Sequence, residues 1–265
     1  MTNESQTLFI PLYGKAMMSR EGFYPDKKAE EIYRSERSRF NGVDTSKKLA
    51  VYMTMRAMQY DSFADDFAAG NPFSAVVHLG CGLDSRYLRV NNKPSMWYDI
   101  DLEDVINLRR KFYPASDTYK MFISSATDPL WLKRVKHGGE PVLVIAEGLS
   151  MYLKKDEITE LIKAFAREFS RTLFIFDAYS ESAAKLSKFK NPVNAVDAKI
   201  SFATDSPESL IEDVPSAEVI INNDIILDEY IEKLTGLMKT RFKFMKKTGN
   251  KLYRIYGIDI KGNMQ

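Results

Sequence analysis

The chain has 265 residues, 45% apolar and 28% charged, with 38 Lys and Arg against 36 Asp and Glu for a net charge of +2. This length and mixture exclude intrinsic disorder and allow one large domain whose core needs neither metal nor disulfide. Near-neutral charge gives no basic stripe for nucleic acid, the single cysteine, Cys81, excludes intramolecular disulfides and cysteine-cluster zinc, and no apolar run approaches a membrane span. The first five residues, Met1–Ser5, lack the basic and apolar regions of a secretory signal, so a cytoplasmic location is expected.

In chain order, residues 26–70 read as helices. Leu49, Met53, Ala57, Tyr60, Ala64 and Phe67 keep a helical spacing until Gly70-Asn71-Pro72 ends the run. Five strands are predicted next, over 75–79, 96–100, 119–123, 142–146 and 172–176. The fourth and fifth are almost wholly apolar, as strands covered on both faces of a parallel sheet must be. Between them, Ile158, Leu161, Ile162, Phe165 and Phe169 recur at helical spacing within 155–170. A lid insertion is expected over 180–215, where 191–215 carries three prolines. A sixth strand over 217–222, a helix over 228–246 and a seventh strand over 252–260 complete the reading. This is an α/β chain of one domain, with a helical N-terminal extension over 1–70.

The strongest local signal is Val77-His78-Leu79-Gly80-Cys81-Gly82-Leu83-Asp84-Ser85-Arg86, a strand running through Gly-x-Gly into a helix-compatible stretch. Glycines there let the backbone turn sharply and approach a ligand. Asp99 and Asp101 lie 19 and 21 residues beyond Gly80, the separation at which nucleotide-binding α/β folds place a ribose-binding acid. Ser85 stands where a dinucleotide site wants a third glycine, and Asp84 brings negative charge to where pyrophosphate would sit. An acidic loop suits a zwitterionic, phosphate-free ligand, S-adenosylmethionine, better than NAD.

Four ordered blocks then carry a family resemblance: Leu8–Ala16, Val76–Arg86, Trp97–Ile106 with Arg109-Arg110, and Ile145–Leu153. They resemble the leucine carboxyl methyltransferase family, in the branch of the polyketide O-methyltransferases, and span roughly residues 8–180. His78 stands where asparagine is usual and Cys81 where alanine is common. The resemblance implies a class I, Rossmann-like methyltransferase with a seven-stranded, mostly parallel sheet whose last strand is antiparallel. It puts the Gly80 backbone, with Cys81 and Gly82 in the same loop, against the methionine portion of S-adenosylmethionine. Asp101 falls on the ribose, with Asp99 as the alternative. Arg56 matches an arginine for the cofactor carboxylate, with Lys15 assisting, and Ser125 and Ala126 flank the adenine. Glu147, near the amine and sulfonium, and Tyr152, near the acceptor pocket, are the candidate catalytic residues.

The activity expected is methyl transfer to a carboxylate or phenolic oxygen of a small, polyketide-like acceptor. The alternatives are a nicotinamide-dependent oxidoreductase on a similar sheet and a cofactor-binding module without turnover. Two histidines, His78 and His137, and one cysteine give no metal cluster. Asp61, Asp65 and Asp66 read as a solvated helix face, and Lys243, Lys246 and Lys247 as the charged end of the late helix.

Overall fold

Strands with no polar face belong at the centre of a sheet, and two such runs lie side by side here. The computed structural model describes residues 7–40, 45–187, 200–248 and 252–262. Its strands are β1 (Ala75–Leu79), β2 (Met96–Asp101), β3 (Tyr119–Ile123), β4 (Val142–Ala146), β5 (Arg171–Tyr179), β6 (Ala217–Asp224) and β7 (Tyr253–Lys261). They form one sheet in the order β3-β2-β1-β4-β5-β7-β6. The first five pair in parallel, and β7 runs antiparallel to both β5 and β6. Every residue of β1 and β4 is buried, and these two are neighbours.

Side chains alternate along β4 to feed two cores. Leu143 and Ile145 join the core shared with α1 (Phe9–Arg20) and α3 (Lys47–Gly70). Val142, Val144 and Ala146 join the core shared with α6 (Lys155–Glu168), whose Ile158, Leu161, Ile162 and Phe165 are buried there. The remaining helices are α2 (Lys27–Ser35), α4 (Arg86–Arg89), α5 (Glu103–Arg109), α7 (Glu181–Ser187), α8 (Asp228–Glu232) and α9 (Gly236–Lys247).

The N-terminal helices start at side-chain caps. The Asp26 carboxylate accepts from Ala29 N at 2.9 Å and the Ser46 hydroxyl from Leu49 N at 3.2 Å, each satisfying a first-turn amide. Helix α1, where the sequence showed only a family block, lies against α3 at Gly14. A Cβ on that residue would stand 3.3 Å from Ala50 Cα.

Two expectations are corrected in the last third of the chain. The single helix over 228–246 is two helices, α8 and α9, because the chain turns at Gly236, with φ of +54°. β5 and β6 run on to Tyr179 and Asp224, further than their apolar runs, because β7 pairs along both of them. Of the expected lid, 188–199 lies outside the described residues; the flanking parts hold α7 and a 3-10 turn over Pro207–Leu210.

Gly257 in β7 faces Ile221, next to a bulge between Val219 and Ile221. A Cβ at Gly257 would fall 2.6 Å from Ile221 Cδ1 and 2.8 Å from its Cβ. Gly257→Ala is therefore expected to lower stability by about 1–3 kcal/mol through overpacking, read as a lower urea midpoint. An unchanged midpoint would show that the sheet yields there without cost.

Candidate active site

The strand order reverses beside β1, whose neighbours are β2 and β4, and in open α/β sheets ligands bind at the carboxyl ends of strands at such a point. A cavity of about 750 Å³ opens there. The glycine loop forms its floor. Gly80 and Gly82 take φ of +61° and +52°, backbone that a side chain disfavours. Gly80 N donates to Ile100 O at 2.8 Å, and Gly82 N to Asp101 Oδ2 at 2.8 Å. Asp101 Oδ1 accepts from Leu102 N at 2.8 Å. Each carboxylate oxygen thus keeps spare acceptor capacity on the cavity side. Burial pushes the Asp101 carboxyl up to about 6, with the two backbone amides opposing it.

On the other side of the loop, Glu147 ends its strand inside a ring of cations. Arg56 Nε and Nη2 lie 3.1 and 3.0 Å from Glu147 Oε1, Arg86 donates to Oε2, and Lys15 Nζ stands 3.9 Å away. Burial alone would raise the Glu147 carboxyl, but Lys15, Arg56 and Arg86 together hold it well below the usual carboxylate range. Arg56 Nη1 also meets Asp177 Oδ2 and the Tyr253 hydroxyl, each at 3.2 Å. Its planar fork, expected to hold the cofactor carboxylate, also engages Glu147.

Asp84 is likewise neutralised. It pairs with Lys15, and its Oδ1 accepts from Arg89 at 3.1 Å. The open acidic loop read from the sequence is therefore a closed, charge-balanced one. Asp61 is no solvated residue either: its oxygens take Arg86 Nε at 2.9 Å, Arg89 Nε at 2.7 Å and the Tyr24 hydroxyl at 2.7 Å.

Asp99 does not line the cavity, which corrects its candidacy as a ribose ligand. It shares a strand face with Asp101, but one pleat deeper, and is fully buried. It accepts from Trp97 Nε1 at 2.9 Å, from Arg109 Nε at 2.8 Å and from the Tyr119 hydroxyl. Arg109 Nη1 in turn donates to Gly82 O at 3.0 Å, so the pair props the loop from behind. Burial, helped by Arg86, pushes His78 down to about 4, and this neutral ring lies 3.1 Å from Arg86 Nη1. The Cys81 thiol lines the cavity, but burial raises it well above its ordinary value, so it is no thiolate nucleophile.

Gly80, Cys81, Gly82, Asp101, Ser125, Ala126, Lys15, Arg56, Glu147 and Tyr152 all line this one cavity. Its wall also carries Tyr52, Met53, Met151, Tyr152, Tyr179, Met245 and Tyr253. The titratable side chains among the described lining residues include Lys15, Lys48, Arg56, His78, Asp84, Asp101 and Glu147. Burial pushes the Tyr52 and Tyr253 hydroxyls above their ordinary value. The described residues contain no His, Cys, Asp and Glu group able to hold a metal, and no helix among them is long and apolar enough to cross a membrane.

The leucine carboxyl methyltransferase family profile matches residues 2–118. The tetracenomycin polyketide synthesis O-methyltransferase TcmP of Streptomyces glaucescens is 33% identical over 218 residues, 81% of this chain and 80% of that protein. The chain belongs to the leucine carboxyl methyltransferase family. An S-adenosyl-L-methionine-dependent methyltransferase of Gibberella zeae, dpfgK, is 27% identical over 81% of this chain and 80% of its own length. The fold matches the crystal structure of the plantazolicin methyltransferase BpumL with S-adenosylhomocysteine, at a TM-score of 0.51 and 11% identity, over 99% of this chain and 100% of that one. The molecule is thus a class I, S-adenosylmethionine-dependent methyltransferase, and this displaces the oxidoreductase alternative.

The residues of this leucine carboxyl methyltransferase family member fit that cofactor. Spare carboxylate lone pairs at Asp101 suit a diol, and the mixed charges around Glu147 suit a zwitterion. Sequence reasoning missed Arg86, Asp177 and Tyr253, and gave Arg109 no role. The signal for Asp177 was an acid inside an otherwise apolar strand; for Arg86 it was an arginine closing the glycine motif.

Removing Asp99 leaves Arg109 buried and uncompensated. Asp99→Ala is expected to cost about 3–5 kcal/mol of unfolding free energy in denaturant titration. Lost cofactor binding with intact stability would instead restore Asp99 as a ligand.

Proposed function

We propose that this methyltransferase acts on an oxygen of a flat, apolar acceptor, and that this oxygen arrives already ionised. The observation that carries this reading is the cavity lining, where tyrosines and methionines form the apolar wall, Glu147 and Asp84 are held in ion pairs, and His78 is pushed down to about 4, so that none of these three is poised to take a proton. A carboxylate needs no base at neutral pH, and a phenol acidified by its own ring system needs little help. The similarity to an O-methyltransferase of polyketide synthesis supports an aromatic acceptor.

When bound, S-adenosylmethionine supplies an electrophilic methyl on its sulfonium. The chain supplies position and charge. Asp101 accepts the ribose hydroxyls, the loop of Gly80, Cys81 and Gly82 lies along the methionine portion, and Ser125 and Ala126 flank the adenine. Glu147 would face the ammonium, and donors of Lys15 and Arg56 left over from their pairs with Asp84, Glu147 and Asp177 would meet the carboxylate. Held so far below the usual carboxylate range, Glu147 is a poor proton acceptor, and its part is electrostatic. Tyr152, whose hydroxyl donates to Thr7 Oγ1 at 3.3 Å, orients the acceptor from the outer wall. Alignment of oxygen and methyl then provides most of the acceleration, up to about 7–11 kcal/mol in well-oriented systems.

Only ionised Asp101 accepts hydrogen bonds at both oxygens. Binding of S-adenosylhomocysteine is expected to strengthen as pH rises through about 6, by roughly tenfold, and Asp101→Asn should flatten the profile. The fold responds in the opposite sense. A carboxyl raised above its ordinary value adds stability below the unfolded value, and this is lost as pH rises through about 6. Calorimetric titration between pH 5 and 7.5 reads the first effect and thermal melting the second; a pH-independent affinity in the wild type contradicts the assignment.

For the reaction, aromatic carboxylic acids and phenols offered with S-adenosylmethionine should yield products one methyl heavier by mass spectrometry. Alkali distinguishes an ester from an ether. A product methylated on carbon or nitrogen alone would sink the proposal.

A further inference from the structure

Among the described residues three cations line the cavity, and two of them are paired within the protein. Lys15 pairs with Asp84, and Arg56 with Glu147 and Asp177. The third, Lys48, is exposed at the mouth, and no carboxylate among the described residues pairs with it. Its place is unfavourable for the helix that bears it. The first turn of α3 carries Lys47 and Lys48 and no acid, so both charges oppose the helix dipole. Lys47 is accounted for by Glu21, 2.5 Å away. Lys48 has no such partner among the described residues.

Helix α3 also sets a distance. Lys48, Leu49, Tyr52, Met53 and Arg56 all line the cavity, which makes one helical stripe from mouth to floor. Eight residues separate its two charged ends, a rise of about 12 Å. Between them the stripe presents only Leu49, Tyr52 and Met53, an apolar and aromatic surface.

We propose that Lys48 binds an anionic group at the outer end of the acceptor, remote from the oxygen that receives the methyl. The acceptor class is an elongated apolar acid, with its reactive oxygen inward and a second anionic group at the mouth. The proposal rests on the reading of this cavity as a cofactor floor beneath an acceptor chamber.

The test uses 6-hydroxy-2-naphthoate and its uncharged analogue 6-hydroxy-2-naphthamide, titrated into full-length enzyme saturated with S-adenosylhomocysteine. The wild type should bind the acid about fivefold more tightly than the amide, the scale of a partly exposed ion pair. Lys48→Met should abolish that preference through the acid alone, and Lys48→Arg should retain it. Affinity for S-adenosylhomocysteine should be the same in all three proteins. An acid preference that survives Lys48→Met overturns the proposal, and so does a wild type with no preference, including one that binds neither compound. Failure of the wild type to bind S-adenosylhomocysteine is a different result. It defeats the cofactor assignment, and the same titrations on the free enzyme still decide the role of Lys48.

Discussion

A carboxylate taken out of water must be met by positive charge, and Glu147 is met from three separate elements. Lys15 comes from α1, Arg56 from α3 and Arg86 from the turn after the glycine loop. Each of these cations also meets a second acid, Lys15 with Asp84, Arg86 with Asp61 and Arg56 with Asp177. Removing any one member leaves its partner charged and buried, which costs far more than a surface ion pair contributes. The N-terminal helices are therefore part of the site and cannot be regarded as a decoration on the sheet.

A second buried pair works on the far side of β1. Asp99 and Arg109 hold the Gly82 carbonyl, while Asp101 holds the Gly82 amide. With Gly80 N tied to Ile100 O, the loop is fixed from behind at both ends. His78 stands between the two systems, close to Arg86 on one side and 3.7 Å from Asp99 on the other. The floor of the cavity is thus held in place by the chain's own hydrogen bonds, the arrangement that electrostatic preorganisation requires.

Much of this was legible in the residues. The apolar runs of β1 and β4 announced a parallel sheet because burial on both faces leaves no room for alternation. That Glu147 and Asp101 line the cavity was legible because ligands bind at strand ends beside a switch point. What could not be read was partnership. Asp61 looked solvated on its helix, since nothing local shows that two arginines from another turn reach it. Asp99 and Asp101 were indistinguishable by spacing, and only the depth of one pleat separates a structural acid from a candidate ligand. The break before α9 was hidden in a pattern that one glycine interrupts.

The interior position of β7 bears on how the chain acquires its shape. β6 joins the sheet only through β7, which slots between it and β5. During synthesis β6 emerges first and must wait, its edge unsatisfied, until the following thirty or so residues arrive. Tyr253, at the start of β7, then reaches Arg56, made nearly two hundred residues earlier. Such distant pairings are the slow kind, since a long loop must close before they stabilise anything. The sheet is therefore finished late, and the waiting β6 edge is the surface that needs shielding from self-association in the interval.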